Sequence, residues 1–307
     1  MSATTPVMLG EDDRVHRSDT DGGKAQAALW WKAVPTMPDE RLGIIGDFSA
    51  DSPMASAALL EDAERRLRLN GCTLAIGPMS GTTWRSYRFV TEPGTEPAFF
   101  LEPKNPAEWP EWWRASGYQS LASYYSTATD DLTRNDERLV TVSSRMAAAG
   151  IKIRPFNPAE FEQELRRIFD VSVISFQPNF LYTPLPKEEF VAQYRPLRER
   201  LQPQLVLLAE QHGAPVGYVF AVPDFAQAQR GESVSTFIVK TLAVLPGRAF
   251  AGLGALLLGE VHAAARALGF KRAIHALMHE TNQSRNLSAH YARTIRRYTL
   301  FSKRLLT

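Results

Sequence analysis

One strand-turn-helix segment in the second half of the chain constrains the fold most. Residues 234–244 (VSTFIVKTLAV) are rich in β-branched residues, as a buried strand requires, and Pro246 follows them. After a short loop, Gly252 opens an apolar helical pattern that runs to Leu268, and Gly269 is a stop signal. The segment therefore predicts a long strand that turns sharply into a helix.

Elements of the same two kinds surround this segment. The predicted elements before it are a strand at 151–155, helices at 157–170 and 187–201, and a hairpin of strands at 205–210 and 216–222. Those after it are a strand at 273–278, a helix at 282–290 and a strand at 295–303. This order predicts a mixed sheet covered by helices.

The first half of the chain repeats part of the pattern. It contains a predicted strand at 42–48, a helix at 53–69, a strand at 73–76, a helix and turn within 105–118, and a strand at 121–126. The acidic, hydrophilic stretch at 129–137 is the best boundary between the halves. We therefore expect a disordered tail at 1–26, a lobe at 27–130 and a domain at 138–307.

Composition narrows the class of protein. The 307 residues are 44% hydrophobic and 22% charged, which is typical of soluble globular proteins, and the length suggests about two domains. The net charge of +2 argues against nucleic acid as a partner. No apolar stretch is long enough for a signal peptide or a membrane span, and Cys72 is the only cysteine. We expect a cytoplasmic protein with no membrane association and no metal site.

The turn after the long strand resembles a known cofactor motif. It reads Val244-Leu245-Pro246 and then Ala249-Phe250-Ala251-Gly252-Leu253-Gly254. It is similar to V-x-P followed by R/Q-x-x-G-x-G/A in the GNAT superfamily of N-acetyltransferases. Both glycines match, but Ala249 stands at the Arg/Gln position and Arg248 lies one residue earlier. With the element order of residues 148–307, the resemblance implies an α/β protein of two GNAT-like lobes, each a mixed sheet flanked by helices, the first degenerate.

The resemblance also implies a cofactor, acetyl-CoA or another acyl-CoA. A helix N-terminus offers unpaired N–H groups and a partial positive charge, so it can bind phosphate without a lysine. The implied cofactor-binding residues are Leu242, Ala243 and Val244 beside the pantetheine arm, Ala249, Phe250, Ala251, Gly252, Leu253, Gly254 and Ala255 around the pyrophosphate, and Asn282 and Arg285 beyond them. The alternative is that the glycines serve close packing only.

Candidate catalytic residues follow from the same resemblance. Tyr291 is nearest to the family's general acid, although its spacing from Asn282 departs from N-x-x-A-x-x-L-Y, and it could equally seal a helix end. His279 and Glu280 end the predicted strand near the expected acyl group and are candidate bases, or solvated loop residues. Deprotonation through water is a further alternative.

Several aromatic residues are candidates for the acceptor side. Phe176, Phe180 and Tyr182 lie in the loop that commonly sets acceptor choice in this fold, and they could instead pack in the core. Asp224 could bind the acceptor's ammonium group, or be an exposed turn residue. In the first half, one cluster could form an acceptor-side wall or pack on the neighbouring domain: Trp84, Arg85, Tyr87 and Arg88.

The first half lacks the glycine motif. Residues 49–53 (SADSP) stand between its first strand and helix, and Asp51 would repel a pyrophosphate. The whole pattern predicts an enzyme, a CoA-dependent N-acyltransferase acting on a small-molecule or peptide primary amine. The alternatives are a non-catalytic domain that binds CoA or a partner, and a transferase that uses aminoacyl-tRNA, against which the near-neutral charge argues.

Overall fold

The computed structural model describes residues 11–18, 22–133, 138–281 and 292–305. The strands of these residues are β1 (Asp13–Ser18), β2 (Lys24–Trp30), β3 (Leu42–Ala50), β4 (Leu74–Gly77), β5 (Phe89–Glu92), β6 (Gln119–Thr129), β7 (Ile151–Pro155), β8 (Val206–Gln211), β9 (Ala214–Pro223), β10 (Thr236–Val244), β11 (Arg272–His279) and β12 (Arg293–Arg304). The helices are α1 (Pro53–Leu69), α2 (Trp109–Ala115), α3 (Arg138–Ala148), α4 (Phe161–Ser175), α5 (Lys187–Tyr194), α6 (Phe225–Gln229) and α7 (Leu253–Ala267).

The strands form one mixed sheet. Its order is β1-β2-β3-β4-β12-β6-β11-β10-β9-β8-β7, and β5 pairs with β12 beside this path. The pairs β3/β4 and β10/β11 are parallel, whereas the other pairs are antiparallel. Each parallel pair is joined by a helix, α1 or α7, as a crossover connection requires. The expected α/β class with a mixed sheet is confirmed.

The two halves of the chain exchange strands at the centre of the sheet. The last strand, β12, lies between β4 and β6 of the first half, and β6 in turn borders β11 of the second half. Consequently, a cut at 130–138 does not separate two complete sheets, because each half needs a strand from the other. The linear sequence shows no sign of this pairing.

The expectation of a disordered tail at 1–26 is wrong for residues 13–18 and 24–26, because these residues lie in β1 and β2. β1 pairs in antiparallel fashion with nearly the whole of β2, from Asp13 opposite Leu29 to Ser18 opposite Lys24. Val15 is fully buried in the core beneath α1. The polar residues that suggested a tail take part in ion pairs, such as the one between Asp13 and Arg66 at 2.6 Å.

Helix ends follow local sequence signals. α1 has its predicted bounds because the Ser52 hydroxyl accepts from the Ala55 N–H and Pro53 suits the first turn. The predicted helix at 187–201 is α-helical only to Tyr194, and residues 195–200 form a 3₁₀ helix around Pro196.

Helices cover both faces of the sheet in the second half. Tyr218 and Phe220 of β9 pack with α4 and α5, while Val219 and Ala221 pack with α7, because successive side chains of a strand point to opposite faces. In the first half, α1 and α2 pack in one core cluster with β2. None of the helices in the described ranges combines the length and apolarity that a membrane crossing needs.

Candidate functional site

The site lies where β10 and β11 diverge. The two strands pair in parallel only over Thr236–Val239 and 272–275. β10 then continues to Val244 and β11 to His279, and nearly all of the continuing residues are half-exposed. A register shift at Lys240 bulges β10 at the point of divergence. The carboxyl ends of the strands therefore border a cleft.

Part of the β10 backbone faces this cleft. The Leu245 N–H donates to the Val216 carbonyl at 2.9 Å. Because backbone groups alternate in direction along an antiparallel pair, Ala243 also points toward β9, whereas Leu242 and Val244 point toward the cleft. Of these three predicted cofactor-binding residues, Leu242 and Val244 can offer an N–H group. The Val244 carbonyl accepts from the Ser175 hydroxyl at 3.0 Å.

The start of α7 offers a row of unused N–H groups at the same end of β10. Gly252 caps the 15-residue helix with a φ of 86°, a left-handed conformation that suits glycine. In the predicted pyrophosphate loop, the N–H groups of Phe250 and Ala251 donate within a turn. Those of residues 252–255 have no acceptor among the residues described, and no side chain caps the helix. The helix dipole adds partial positive charge, so this corner favours an anion.

A cation that the sequence analysis did not select lies at the same loop. The Arg145 guanidinium of α3 donates to the Ala251 carbonyl. A Cβ at Gly252 would lie 3.0 Å from Val142 Cγ2 and 3.6 Å from an Arg145 nitrogen. α3 therefore brings a positive charge to a loop that has Ala249 in place of the family's Arg or Gln. No local signal could reveal this contact, because 106 positions separate Arg145 from Ala251.

His279 lies at the cleft but is poorly arranged as a base. Its Nδ1 accepts from the Thr281 N–H at 3.2 Å and lies 2.8 Å from the Thr281 hydroxyl oxygen. Burial and then the charge of Arg88 lower the pKa of His279. The neutral ring therefore carries its proton on Nε2, which can donate a hydrogen bond but cannot accept a proton.

The other catalytic candidates are either ion-paired or not described. Glu280 Oε1 accepts from the Arg297 guanidinium at 3.0 Å, so this carboxylate oxygen is already occupied by a partner. Tyr291, Asn282 and Arg285 lie outside the described residues, so their roles stay predictions.

Aromatic residues from both halves meet beside the cleft. The Trp84 ring contacts those of Phe176 and Tyr182 at centroid distances of 6.1 and 6.2 Å, and its Nε1 donates to the Thr183 carbonyl at 2.7 Å. Phe180 is 37% exposed, and its ring centroid lies 5.9 Å from that of His279. Phe176 and Tyr182 thus pack on Trp84, while Phe180 is the more available for a ligand.

Asp224 has a structural role that its sequence position did not indicate. The residue is only 3% exposed. One carboxylate oxygen accepts from the Ala226 N–H at 3.2 Å, which caps α6, and from the Phe100 N–H at 2.8 Å. The geometry does not support the predicted contact with an ammonium group, because the carboxylate is buried and bonded to backbone from both halves.

The corresponding corner of the first half is closed. Ser52 caps α1, so that helix start is already occupied by a side chain. The Met79 N–H donates to the Ile45 carbonyl at 2.9 Å, and Met79 is fully buried. The chain after β4 thus fills the corner of the first half, whereas none of the described residues fills the corresponding space in the second half.

A surface pocket of about 320 Å³ lies elsewhere, between α3, β7 and α7. Its lining includes Met146, Ile153, Leu256 and Glu260. None of the predicted site residues lines it, so its volume does not bear on the cleft.

Sequence comparison finds no relative: no family profile and no curated protein matches the chain. Solved structures do match. A GCN5-related N-acetyltransferase from Sphaerobacter thermophilus aligns with a TM-score of 0.53 at 15% identity, over 98% of this chain and 83% of that one. A tandem GNAT protein from the clavulanic acid biosynthesis pathway aligns with a TM-score of 0.50 at 12% identity, over 97% and 85%.

A third match is to part of a larger protein. The glucosamine N-acetyltransferase region of a fungal multi-domain GH3 β-N-acetylglucosaminidase aligns with a TM-score of 0.56 at 11% identity, over 93% of this chain. This chain covers 32% of that protein, about a third of its length. At such identities the likeness establishes the fold alone. The chain has the GNAT fold, so the fold that the turn motif led us to expect is confirmed.

Proposed function

We propose that the cleft between β10 and β11 binds an acyl-CoA, with acetyl-CoA as the first choice, and that the protein transfers the acyl group to a primary amine. The observation that carries this proposal is the row of N–H groups from Gly252 to Ala255, at the positive end of α7, that find no acceptor within the described ranges. The GNAT fold supports it, since the similar structures include N-acetyltransferases.

The chain supplies different contacts to different parts of such a donor. The N–H groups of Leu242 and Val244 would bind the amides of the pantetheine arm. Residues 252–255 would bind the pyrophosphate, and Arg145 would add a charge-assisted hydrogen bond. Asn282 and Arg285 remain predicted contacts.

The chemistry then needs positioning more than covalent catalysis. A neutral amine attacks the thioester carbonyl, the new C–N bond forms, and the C–S bond breaks to release the thiolate of CoA. Holding the amine against the carbonyl can lower the barrier by several kcal/mol. Because His279 presents a donor and Glu280 is paired with Arg297, we propose that water carries the amine proton away. Tyr291 remains the candidate acid for the thiolate.

Thermal unfolding with and without acetyl-CoA tests the donor site. A ligand present at about 100 times its Kd stabilises the folded state by roughly 2.7 kcal/mol, so the melting temperature should rise clearly. A screen of primary amines that detects released CoA thiol then tests transfer.

The two readouts separate the rival functions. A melting shift together with thiol release supports the proposed enzyme. A shift without release for any amine would favour a non-catalytic CoA-binding domain. If neither acetyl-CoA nor a longer acyl-CoA changes the melting temperature, the donor site is wrong.

A further inference from the structure

Arg88 is a buried cation for which the described residues supply no carboxylate partner. Two of the described arginines are buried, Arg88 with 6% and Arg296 with 5% of their surface exposed. Arg296 pairs with Glu102 at 3.1 Å. By contrast, Nε and Nη1 of Arg88 have no hydrogen-bond partner in the described part of the chain. Burying an unpaired guanidinium is costly, so proteins seldom do it without a reason.

Three tyrosine rings surround this guanidinium, but among the described residues no group accepts a hydrogen bond from its Nε or Nη1. Arg88 Cζ lies 3.9 Å from the ring centroid of Tyr87, 4.2 Å from that of Tyr124 and 5.9 Å from that of Tyr298. Aromatic faces attract a cation and offset part of the cost of burial. They give no oxygen to the N–H groups at the edge of the guanidinium plane.

The position of Arg88 is at the cleft end of β11. Tyr124 pairs with His279 across β6 and β11, and the two rings are 4.8 Å apart. Tyr124 and Ala128 share one face of β6, and Ala128 packs in the core with α4 and α5. Arg88 therefore lies on the α4 and α5 face of the sheet, next to the residues that border the acceptor side.

The segment that carries Arg88 is held by contacts with α5 and with the chain that follows β4. Arg85 forms an ion pair with Glu189 of α5 at 2.7 Å. The Arg88 N–H donates to the Pro78 carbonyl at 2.8 Å, and its φ of 68° is one that L residues seldom adopt. These contacts hold the guanidinium in place before any ligand binds, which lowers the entropy cost of binding.

We propose that Arg88 binds a carboxylate of the acceptor, so that the acceptors are primary amines that also carry a carboxylate. This inference rests on the proposed function and names its substrate class. The planar fork of a guanidinium matches the two oxygens of a carboxylate. One guanidinium that lacks a carboxylate partner among the described residues also matches one negative charge better than the two of a phosphate monoester.

Matched pairs of amines test the proposal in the full chain. The pairs are L-phenylalanine with 2-phenylethylamine, β-alanine with ethylamine, and 4-aminobutyrate with propylamine. With acetyl-CoA as donor, we expect a carboxylate-bearing member to have a kcat/KM about 100-fold above its partner, the effect of one buried charge-assisted contact. Arg88→Met should remove this preference mainly through KM and leave the plain amine within about twofold. Arg88→Lys should keep part of it.

Two further readouts keep failure of the donor site distinct from failure of this inference. Acetyl-CoA should raise the melting temperature of Arg88→Met as much as that of the wild type, and the exposed Arg114→Met serves as a matched control. Carboxylate-bearing amines alone should raise the melting temperature of the wild type and of Arg114→Met but not of Arg88→Met.

Three outcomes would overturn the role of Arg88. The first is a wild-type protein that acylates plain amines as well as their carboxylate partners. The second is an Arg88→Met protein that loses both members of a pair equally. The third is a wild-type protein whose melting temperature no carboxylate-bearing amine changes. Arg88→Met should itself fold, with an equal or higher melting temperature, because it removes an unpaired buried charge.

Discussion

Among the described residues, the strand-helix-strand unit of the second half (β10, α7, β11) leaves a cleft, whereas the corresponding corner of the first half (β3, α1, β4) is closed. Both units have parallel strands that pair over only three or four positions before they diverge. Both also show a register shift against the neighbouring antiparallel strand, at Lys240 in β10 and opposite Ala27 in β3. The two units thus share a framework, including the bulge that accompanies the divergence.

In the first half, the corner is closed by the few residues that follow β4. After β4 the chain turns back, so that Met79 bonds to Ile45 and its carbonyl lies against Gly46. No such segment lies against Leu242 and Val244 among the residues described. An open site therefore needs a helix start without a side-chain cap. It also needs a backbone of the first strand that the segment after the second strand does not cover.

The closed corner should be the less tolerant of added volume. A Cβ at Gly46 would lie 2.0 Å from the Met79 carbonyl oxygen, whereas one at Gly217, beside β10, would lie 3.2 Å from the Ala243 carbonyl oxygen. We expect Gly46→Ala to lower the free energy of unfolding by more than about 3 kcal/mol and Gly217→Ala by about 1 kcal/mol. Urea unfolding measures both, and equal losses would mean that the first corner is not closed as described.

The helix-sheet contact of the second half should be sensitive to acid. His262 of α7 and His275 of β11 are buried with their Nε2 atoms 3.1 Å apart, and burial lowers the pKa of His262 to about 4 and of His275 to about 3. In the unfolded chain the two imidazoles bind protons below about pH 6.5, whereas in the folded protein they stay neutral to lower pH. The free energy of unfolding is therefore kept above about pH 6.5 and decreases as the pH falls toward 4. For His262 alone the loss is roughly 3 kcal/mol.

A double variant, His262→Leu with His275→Val, tests this pH dependence. It replaces the histidine pair by an apolar helix-sheet contact, similar to the contact of Leu67 with β4 in the first half. Its free energy of unfolding should fall less steeply than that of the wild type between pH 6.5 and 4. Parallel curves for the two proteins would contradict the neutral buried pair.

A carboxylate at the open corner should abolish donor binding. Gly252→Asp places a negative charge at the start of α7, just as Asp51 does near the start of α1 at the closed corner. This substitution should weaken acetyl-CoA binding by about 100-fold. Gly252→Asn has the same size and tolerates left-handed φ, so it should weaken binding only a few-fold. Calorimetric titration compares them, with Gly231→Asp at a φ of 79° as the control for backbone strain. Equal affinities for the Asp and Asn variants would place the pyrophosphate elsewhere.

The smallest effect concerns the cation that α3 brings to the open corner. Arg145→Met should weaken acetyl-CoA binding by about tenfold at low salt and less at high salt, because the exposed charge is screened. The same titration in 50 mM and 500 mM salt measures this, with Arg114→Met as control. A loss independent of salt would indicate a packing role for Arg145.

Much of the fold could be predicted from local patterns. The expected bounds of α1 and of β7 match the structure, and those of α7 differ by one residue at each end. β5 was missed because it is short, with four residues, and half-buried. β1 was missed because the alternation of Val15 with charged neighbours is too brief to stand out from a polar terminus.

The site was predictable only in part. The turn from β10 to α7 was located by its glycines, since a left-handed cap and uncapped N–H groups are local properties. The roles of Arg145 and Asp224 were not, because they depend on contacts between residues 106 and 124 positions apart. The role of Arg88 was not either, because it depends on the burial of a charge. From the sequence, Arg88 was named only as a member of a cluster that could form an acceptor-side wall or pack on the neighbouring domain.

What the sequence determined by itself is the order of strands and helices and the position of a helix start that has no side-chain cap. These depend on hydrophobic period, proline and glycine, which act over a few residues. Only the tertiary structure decided that β12 and β6 cross between the halves and that the corner of the first half is filled. It also decided that, within the described part of the chain, the corner of the second half is left open and Arg88 is buried without a carboxylate partner. Those outcomes depend on which distant segments pack together, and many pairings of distant segments are compatible with the same local pattern.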